Sequence, residues 1–230
     1  MKSLYDSEVF QADRLFGRLM KYIEESGLSD NSIVVFYSDH GEGFDHGYYF
    51  DHGGVLYDSN TRIPLIIKYP PNKEGKKIDF LVQNTDIFPT VLSLLQINTQ
   101  IIPTVEGINF SKVFYNFPLN LFPREKREYS YLYSHENHKY AIDDGRYKYI
   151  YSNGQNCIQQ NKTDELYDLK NDPLEQFNIA VERKNITSTL KERLFDRLSM
   201  YNLPEYIPEM TLEHQQYIEK SLLKLKSLGY

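Results

Sequence analysis

The run Ile33-Val34-Val35-Phe36-Tyr37-Ser38, followed directly by Asp39-His40-Gly41-Glu42-Gly43, constrains this chain more than any other feature. A short, unbroken, β-branched and aromatic run suits a strand buried on both faces of a parallel sheet. Upstream, Val9, Ala12, Phe16, Leu19 and Ile23 recur at three- and four-residue intervals, which predicts an amphipathic helix over 4–26. Gly27 is a natural residue to end that helix, and Ser29-Asp30-Asn31 is turn chemistry. Helix, turn and buried strand make the repeating unit of a doubly wound α/β fold. In open sheets of that kind ligands bind beyond the carboxyl ends of the strands. Asp39, His40 and Glu42 therefore stand where function is expected.

The loop that follows is rich in Gly, His and Asp. Three of the six histidines of the chain fall in it, at His40, His46 and His52, with Gly41, Gly43, Gly47, Gly53 and Gly54 between and beside them. Glycines let backbone approach a bound anion closely, and a carboxylate beside an imidazole on a rigid strand end is a plausible half-site for a divalent cation. On spacing alone, an Asp-His pair more often has an incidental structural role. No phosphate-binding glycine loop and no serine nucleophile elbow occurs.

Arg62–Tyr69 reads as a second buried strand, and Thr85 as the N-cap of a helix running to about Gln96. From about residue 125 the pattern changes to short aromatic strands at 129–134, 139–142 and 146–152, with Asp143-Asp144-Gly145 as a hairpin turn. Leu166–Leu169 adds a further strand, and helices are expected at roughly 183–200 and 211–227. The mixed-sign cluster Arg124–Glu128 reads as a solvated turn, and Arg62 as a salt-bridge partner of Asp58 or Glu42.

Composition narrows the function classes. A net charge of −6 with scattered Lys and Arg argues against nucleic-acid binding. No apolar run in this chain approaches the ~20 residues of a membrane span. The one cysteine, Cys157, excludes an internal disulfide framework and lies in a polar stretch with no Lys or Arg immediately beside it.

Taken together, Tyr5-Asp6…Asp13-Arg14…Gly17-Arg18-Leu19, Ser38-Asp39-His40-Gly41-Glu42-Gly43, His52-Gly53…Leu56-Tyr57-Asp58…Arg62-Ile63-Pro64-Leu65-Ile66, Thr85-Asp86-Ile87-Phe88-Pro89 and Glu165-Leu166-Tyr167-Asp168-Leu169…Asn171-Asp172-Pro173 resemble, in order, the second half of a sulfatase, within the alkaline phosphatase superfamily. The resemblance implies an α/β fold. Residues 1–125 would be the later part of a mixed α/β/α catalytic sheet, and residues 126–230 a small antiparallel-sheet subdomain with terminal helices. It also implies a metal-dependent sulfuric ester hydrolase. Asp39 and His40 match two ligands of a divalent cation, calcium first, with magnesium or manganese as alternatives. His52 matches a catalytic and substrate-contacting position, and His46 is a second candidate for substrate binding. The expected partners are a sulfate ester of a sugar or aryl group and the N-terminal half of the sulfatase domain.

One departure weighs against activity of this chain by itself. The family's nucleophile is a formylglycine made from Cys in Cys-x-Pro-x-Arg or Cys-x-Ala-x-Arg. Cys157-Ile158-Gln159-Gln160-Asn161 has neither the small third residue nor the Arg. The first metal-binding Asp pair of the family also has no counterpart. The alternatives are a phosphoester or phosphonate hydrolase or phosphoethanolamine transferase of the same superfamily, and a non-catalytic remnant or subunit.

Overall fold

The computed structural model describes residues 2–47, 52, 54–71, 74–97, 107–115, 127–134, 138–153 and 163–200. Cys157 and the helix expected at 211–227 lie outside them. Residues Met1–Lys191 form one compact unit.

Helix α1 (Lys2–Glu25) covers the predicted span, although of the expected apolar stripe only Phe16 and Ile23 are partly buried. It ends where Gly27 takes a positive φ of 70° and Leu28 N–H bonds back to the Ile23 carbonyl at 3.0 Å, a left-handed glycine cap. Strand β1 (Val34–Tyr37) follows, and after a long loop come the single helical turn α2 (Asp58–Thr61) and strand β2 (Leu65–Lys68). The expectation of a strand buried on both faces of a parallel sheet is corrected here. β1 and β2 pair antiparallel, Val34 opposite Lys68 and Tyr37 opposite Leu65, and among the described residues they form a two-stranded sheet. One helix and one partner strand cannot enclose both faces, so Tyr37 and Ile66 remain about half exposed.

Helix α3 (Ile87–Leu94) begins two residues after its predicted cap. Thr85 makes no cap; Gln83 and Asp86 form a reciprocal capping box around a short 3-10 turn. Asp86 is buried, accepts from Gln83 N–H at 2.8 Å and Ile108 N–H at 2.6 Å, and pairs with Arg127. Arg127 is thus no part of a solvated turn. It is itself mostly buried, because a carboxylate sunk under three chain segments needs a cation beside it.

The aromatic strands form a four-stranded antiparallel sheet in the order β3 (Ser130–Ser134), β4 (Lys139–Asp143), β5 (Tyr147–Ser152), β6 (Thr163–Asp168). Asp143-Asp144-Gly145 makes the β4–β5 turn as expected: Gly145 has φ 86°, and the Asp144 carboxylate accepts from Arg146 and Tyr147 N–H. Alternation puts Lys148, Ile150 and Ser152 on one face and Tyr147, Tyr149 and Tyr151 on the other. On the first face Ala141, Ile150 and Tyr167 pack with Val55, Leu56 and Tyr57. The loop after β1 is therefore seated on the second sheet. Helix α4 (Lys184–Met200) is the last described element.

Candidate active site

The loop leaving β1 owes its course to one close approach. Gly41 N–H bonds to the Asn60 carbonyl at 2.8 Å, and a Cβ on Gly41 would lie 2.1 Å from the Ser59 carbonyl oxygen. Only glycine fits against α2 there. This contact holds the residues just before it, Asp39 and His40, at the strand's end.

The Asp39 carboxylate is largely exposed and accepts the His40 N–H at 2.9 Å. That backbone bond is the main reason its pKa lies below the usual carboxylate value. His40 Nδ1 sits 2.8 Å from the Gly41 carbonyl, so Nδ1 carries the proton and donates it there. Nε2, the other ring nitrogen, lies 3.7 Å from Asp39 Oδ2. The His52 ring stacks on His40 with centroids 4.5 Å apart and planes 9° from parallel. His52 Nδ1 faces Glu42 Oε2 at 3.6 Å. Asp39, His40 and His52 line one cleft of about 360 Å³, with Asn60, Gln83 and the edge strand β3 as its other walls.

His46 is placed differently. It stands at φ 54° and its ring lies 3.8 Å from that of Tyr57, nearly parallel. Nε2 donates to the Glu175 carbonyl at 2.6 Å, and Nδ1 lies 3.0 Å from Asp45 Oδ1. Burial would lower its pKa, but the Asp45 carboxylate and the Glu175 carbonyl outweigh that and raise it. With both ring nitrogens turned to protein acceptors, His46 holds the loop down and does not line the cleft.

Beneath the loop lies a charge cluster that sequence reasoning missed. Lys148, fully buried on the inner face of β5, pairs with Asp58 and sits 2.9 Å from Glu175 Oε1. Glu175 Oε2 also accepts the Asp58 N–H at 2.5 Å. Burial raises the Glu175 pKa, against the pull of Lys148. The salt bridge expected between Arg62 and Asp58 exists only as an exposed 3.8 Å contact. One signal for Lys148 was available: strand alternation puts it in line with Ile150, on the face that packs.

Asp39 and His40 meet one test for a shared cation. Two donors about 2.0–2.4 Å from one ion, subtending roughly 90–110°, lie about 3–4 Å apart, and Oδ2 and Nε2 are 3.7 Å apart. The carbonyl partner on Nδ1 is the arrangement usual for a ligating imidazole. The set is nevertheless short of donors: among the described residues no group of three or more His, Cys, Asp or Glu could hold an ion.

Comparison with known proteins bears on the same residues. The Sulfatase family model matches residues 1–97. The endo-4-O-sulfatase of Bacteroides thetaiotaomicron is 31% identical over 112 residues, 49% of this chain and 22% of that protein. Arylsulfatase K of Bos taurus is 26% identical over 237 residues, 100% of this chain and 41% of the relative. Among solved structures, BT4656 in complex with its substrate D-glucosamine-2-N,6-O-disulfate superposes with a TM-score of 0.68 at 26% identity, covering 86% of this chain and 41% of that one. The chain thus spans about two fifths or less of the length of the curated relatives named here.

Proposed function

We propose that this chain, whose residues 1–97 belong to the sulfatase family, supplies the later part of a metal-dependent sulfuric ester hydrolase acting on a sulfated sugar or aryl sulfate. The observation that carries the reading is the Asp39–His40 pair, with both donor atoms set for one cation and His52 stacked beside them. A divalent cation, calcium first and magnesium or manganese as alternatives, would be held by Asp39 and His40. When bound it would polarise the sulfuryl oxygens as a Lewis acid. Asp39 keeps its charge because the His40 amide stabilises the carboxylate. Nδ1 of His40 is taken up by the Gly41 carbonyl, so Nε2 is the ring nitrogen that would meet the cation. His52, with Glu42 near Nδ1, directs its other nitrogen to the substrate and serves as the proton donor to the leaving oxygen. His46 takes the supporting role that its contacts with Asp45 and Glu175 give it.

The remaining ligands and the nucleophile are assigned to the N-terminal half of a sulfatase domain, as partner or as adjoining chain. Within this chain, 1–125 forms the catalytic-domain part and 126–230 the subdomain. A sulfated sugar is favoured as substrate class by the disulfated glucosamine bound in BT4656. The test is an assay of aryl sulfate hydrolysis with calcium, magnesium or manganese, for this chain alone and mixed with the N-terminal half of a related sulfatase. Turnover is expected only in the mixture and is lost in Asp39→Ala. Metal-dependent turnover by the chain alone would overturn the reading.

A further inference from the structure

We infer that Lys148 is a positioning residue for the Asp39–His40–His52 cleft, acting through Asp58 and α2 without touching a ligand. The inference rests on the reading of that cleft given above, but its geometry stands apart from it. An ammonium carries three donors, and three oxygens surround this one: the Asp58 carboxylate, Glu175 Oε1 at 2.9 Å and Thr61 Oγ1 at 3.5 Å. Two of those partners are the first and last residues of α2. The opposite side of α2 presents the Asn60 carbonyl to Gly41 N–H at 2.8 Å and the Ser59 carbonyl to the space a Gly41 Cβ would fill. Ser59 Oγ also donates to Asp45 Oδ1 at 3.1 Å. From the buried ammonium to the residue after His40 there are thus only two contacts, each too tight to slide.

The same hub fixes the far end of the loop. Glu175, at φ 53°, gives its carboxylate to Lys148 and to Asp58 N–H, and its carbonyl to His46. Without the cation, the Asp58 and Glu175 carboxylates would face each other across a dry pocket. One of them must then move or take up a proton, and α2 moves with Asp58. A purely structural lysine would weaken the whole sheet evenly. A positioning lysine loosens the loop after β1 while the sheet holds.

The two cases separate in the full 230-residue chain by amide hydrogen exchange and by the ring-current shifts of the stacked His40 and His52 protons. In Lys148→Met, Gly41 N–H should exchange at least tenfold faster relative to Ala141 and Ile150 than in the parent chain, and both imidazoles should lose their ring-current shifts. Lys148→Arg, which keeps the charge, should restore the shifts. Leu166→Ala, which opens the same sheet through its core, should speed all amides together and leave the shifts alone. Asp58→Asn supplies a second, milder break of the hub, with the Lys148→Met pattern expected again. Unchanged imidazole shifts in Lys148→Met and Asp58→Asn, with Gly41 exchange tracking the sheet, would overturn the inference. Paramagnetic broadening of His40 by Mn²⁺ in the parent chain mixed with the N-terminal half of a related sulfatase tests the metal reading separately. Its absence would remove that reading and leave the Lys148 comparison decisive.

Discussion

Asp86 is the residue whose loss should cost this fold most for a single side chain. It is 1% exposed and joins three segments, accepting from Gln83 and Ile108 amides and from Arg127 Nε at 3.3 Å, with Nη2 on its other oxygen. Asp86→Ala strands two half-buried amides and a guanidinium. Breaking one side of a buried pair costs about 3–5 kcal/mol, and each stranded amide about 1–3 kcal/mol. These terms overlap, so about 4 kcal/mol is the working figure. That is a large share of the roughly 5–15 kcal/mol that holds a domain folded. With a urea slope of about 2 kcal/mol per molar, the midpoint should fall by about 2 M. The 20 tyrosines give the fluorescence signal and no tryptophan obscures it. Asp86→Asn keeps the shape and should lose about half as much. Asp86→Ala combined with Arg127→Met should lose clearly less than the sum of the two single changes, since the contacts are shared. A midpoint shift under about 0.5 M for Asp86→Ala, or strict additivity, would refute the claim that the three segments are held through this carboxylate.

His46 predicts a pH dependence. Its folded pKa lies above the unfolded value of 6.5, so its contribution is complete below about pH 6.5 and fades as pH rises through the folded pKa. The urea midpoint of the parent chain should therefore exceed that of His46→Phe at pH 6 by more than at pH 8.5; an equal gap at both would count against it. Gly41→Ala should displace α2 or β1's exit loop, since its Cβ would meet the Ser59 oxygen at 2.1 Å, and the shift perturbations it causes should centre on residues 39–41 and 58–61. Leu166→Ala, at a fully buried position, should cost about 2–5 kcal/mol, measured by the same denaturation.

Local chemistry made part of this structure legible. A β-branched run ending in Asp39-His40 marks a strand tip because propensity and position agree. Asp143-Asp144-Gly145 marks a turn because a glycine at φ 86° has little competition. Pairings across distance were not legible. Lys148 meets Asp58 across 90 residues, and Asp86 meets Arg127 across 41; no periodicity links either residue to its partner. The antiparallel pairing of β1 with β2 was hidden for a related reason. A run apolar on both faces reports how much surface a strand must cover, not the direction of its neighbour.

That demand for cover is unmet in this unit, and it points to one surface. Along α1 only Phe16, Met20 and Ile23 are partly buried, with the Phe16 ring 4.6 Å from Phe36 of β1. Seven large apolar side chains of α1, among them Val9, Phe10, Leu15 and Leu19, stay exposed. Burying such a side chain is worth about 1.5–3 kcal/mol. Half that for each of seven gives on the order of 5–10 kcal/mol available to whatever covers the helix. Among the described residues, the cation proposed at Asp39 and His40 would find two donor groups, where calcium takes six to eight. Both deficits lie within the first 40 residues, so a single partner surface covering α1 and bringing carboxylates would answer both. If the N-terminal half proposed above is that surface, the two deficits should be relieved together. Leu19→Asp, on an exposed flank of α1 and far in sequence from the cleft, should leave the four-stranded sheet's exchange protection unchanged. In the mixture of halves it should abolish both association by ultracentrifugation and metal-dependent sulfate ester hydrolysis. Hydrolysis that survives the loss of association, or association that survives the aspartate, would separate the helix face from the metal site and defeat the argument.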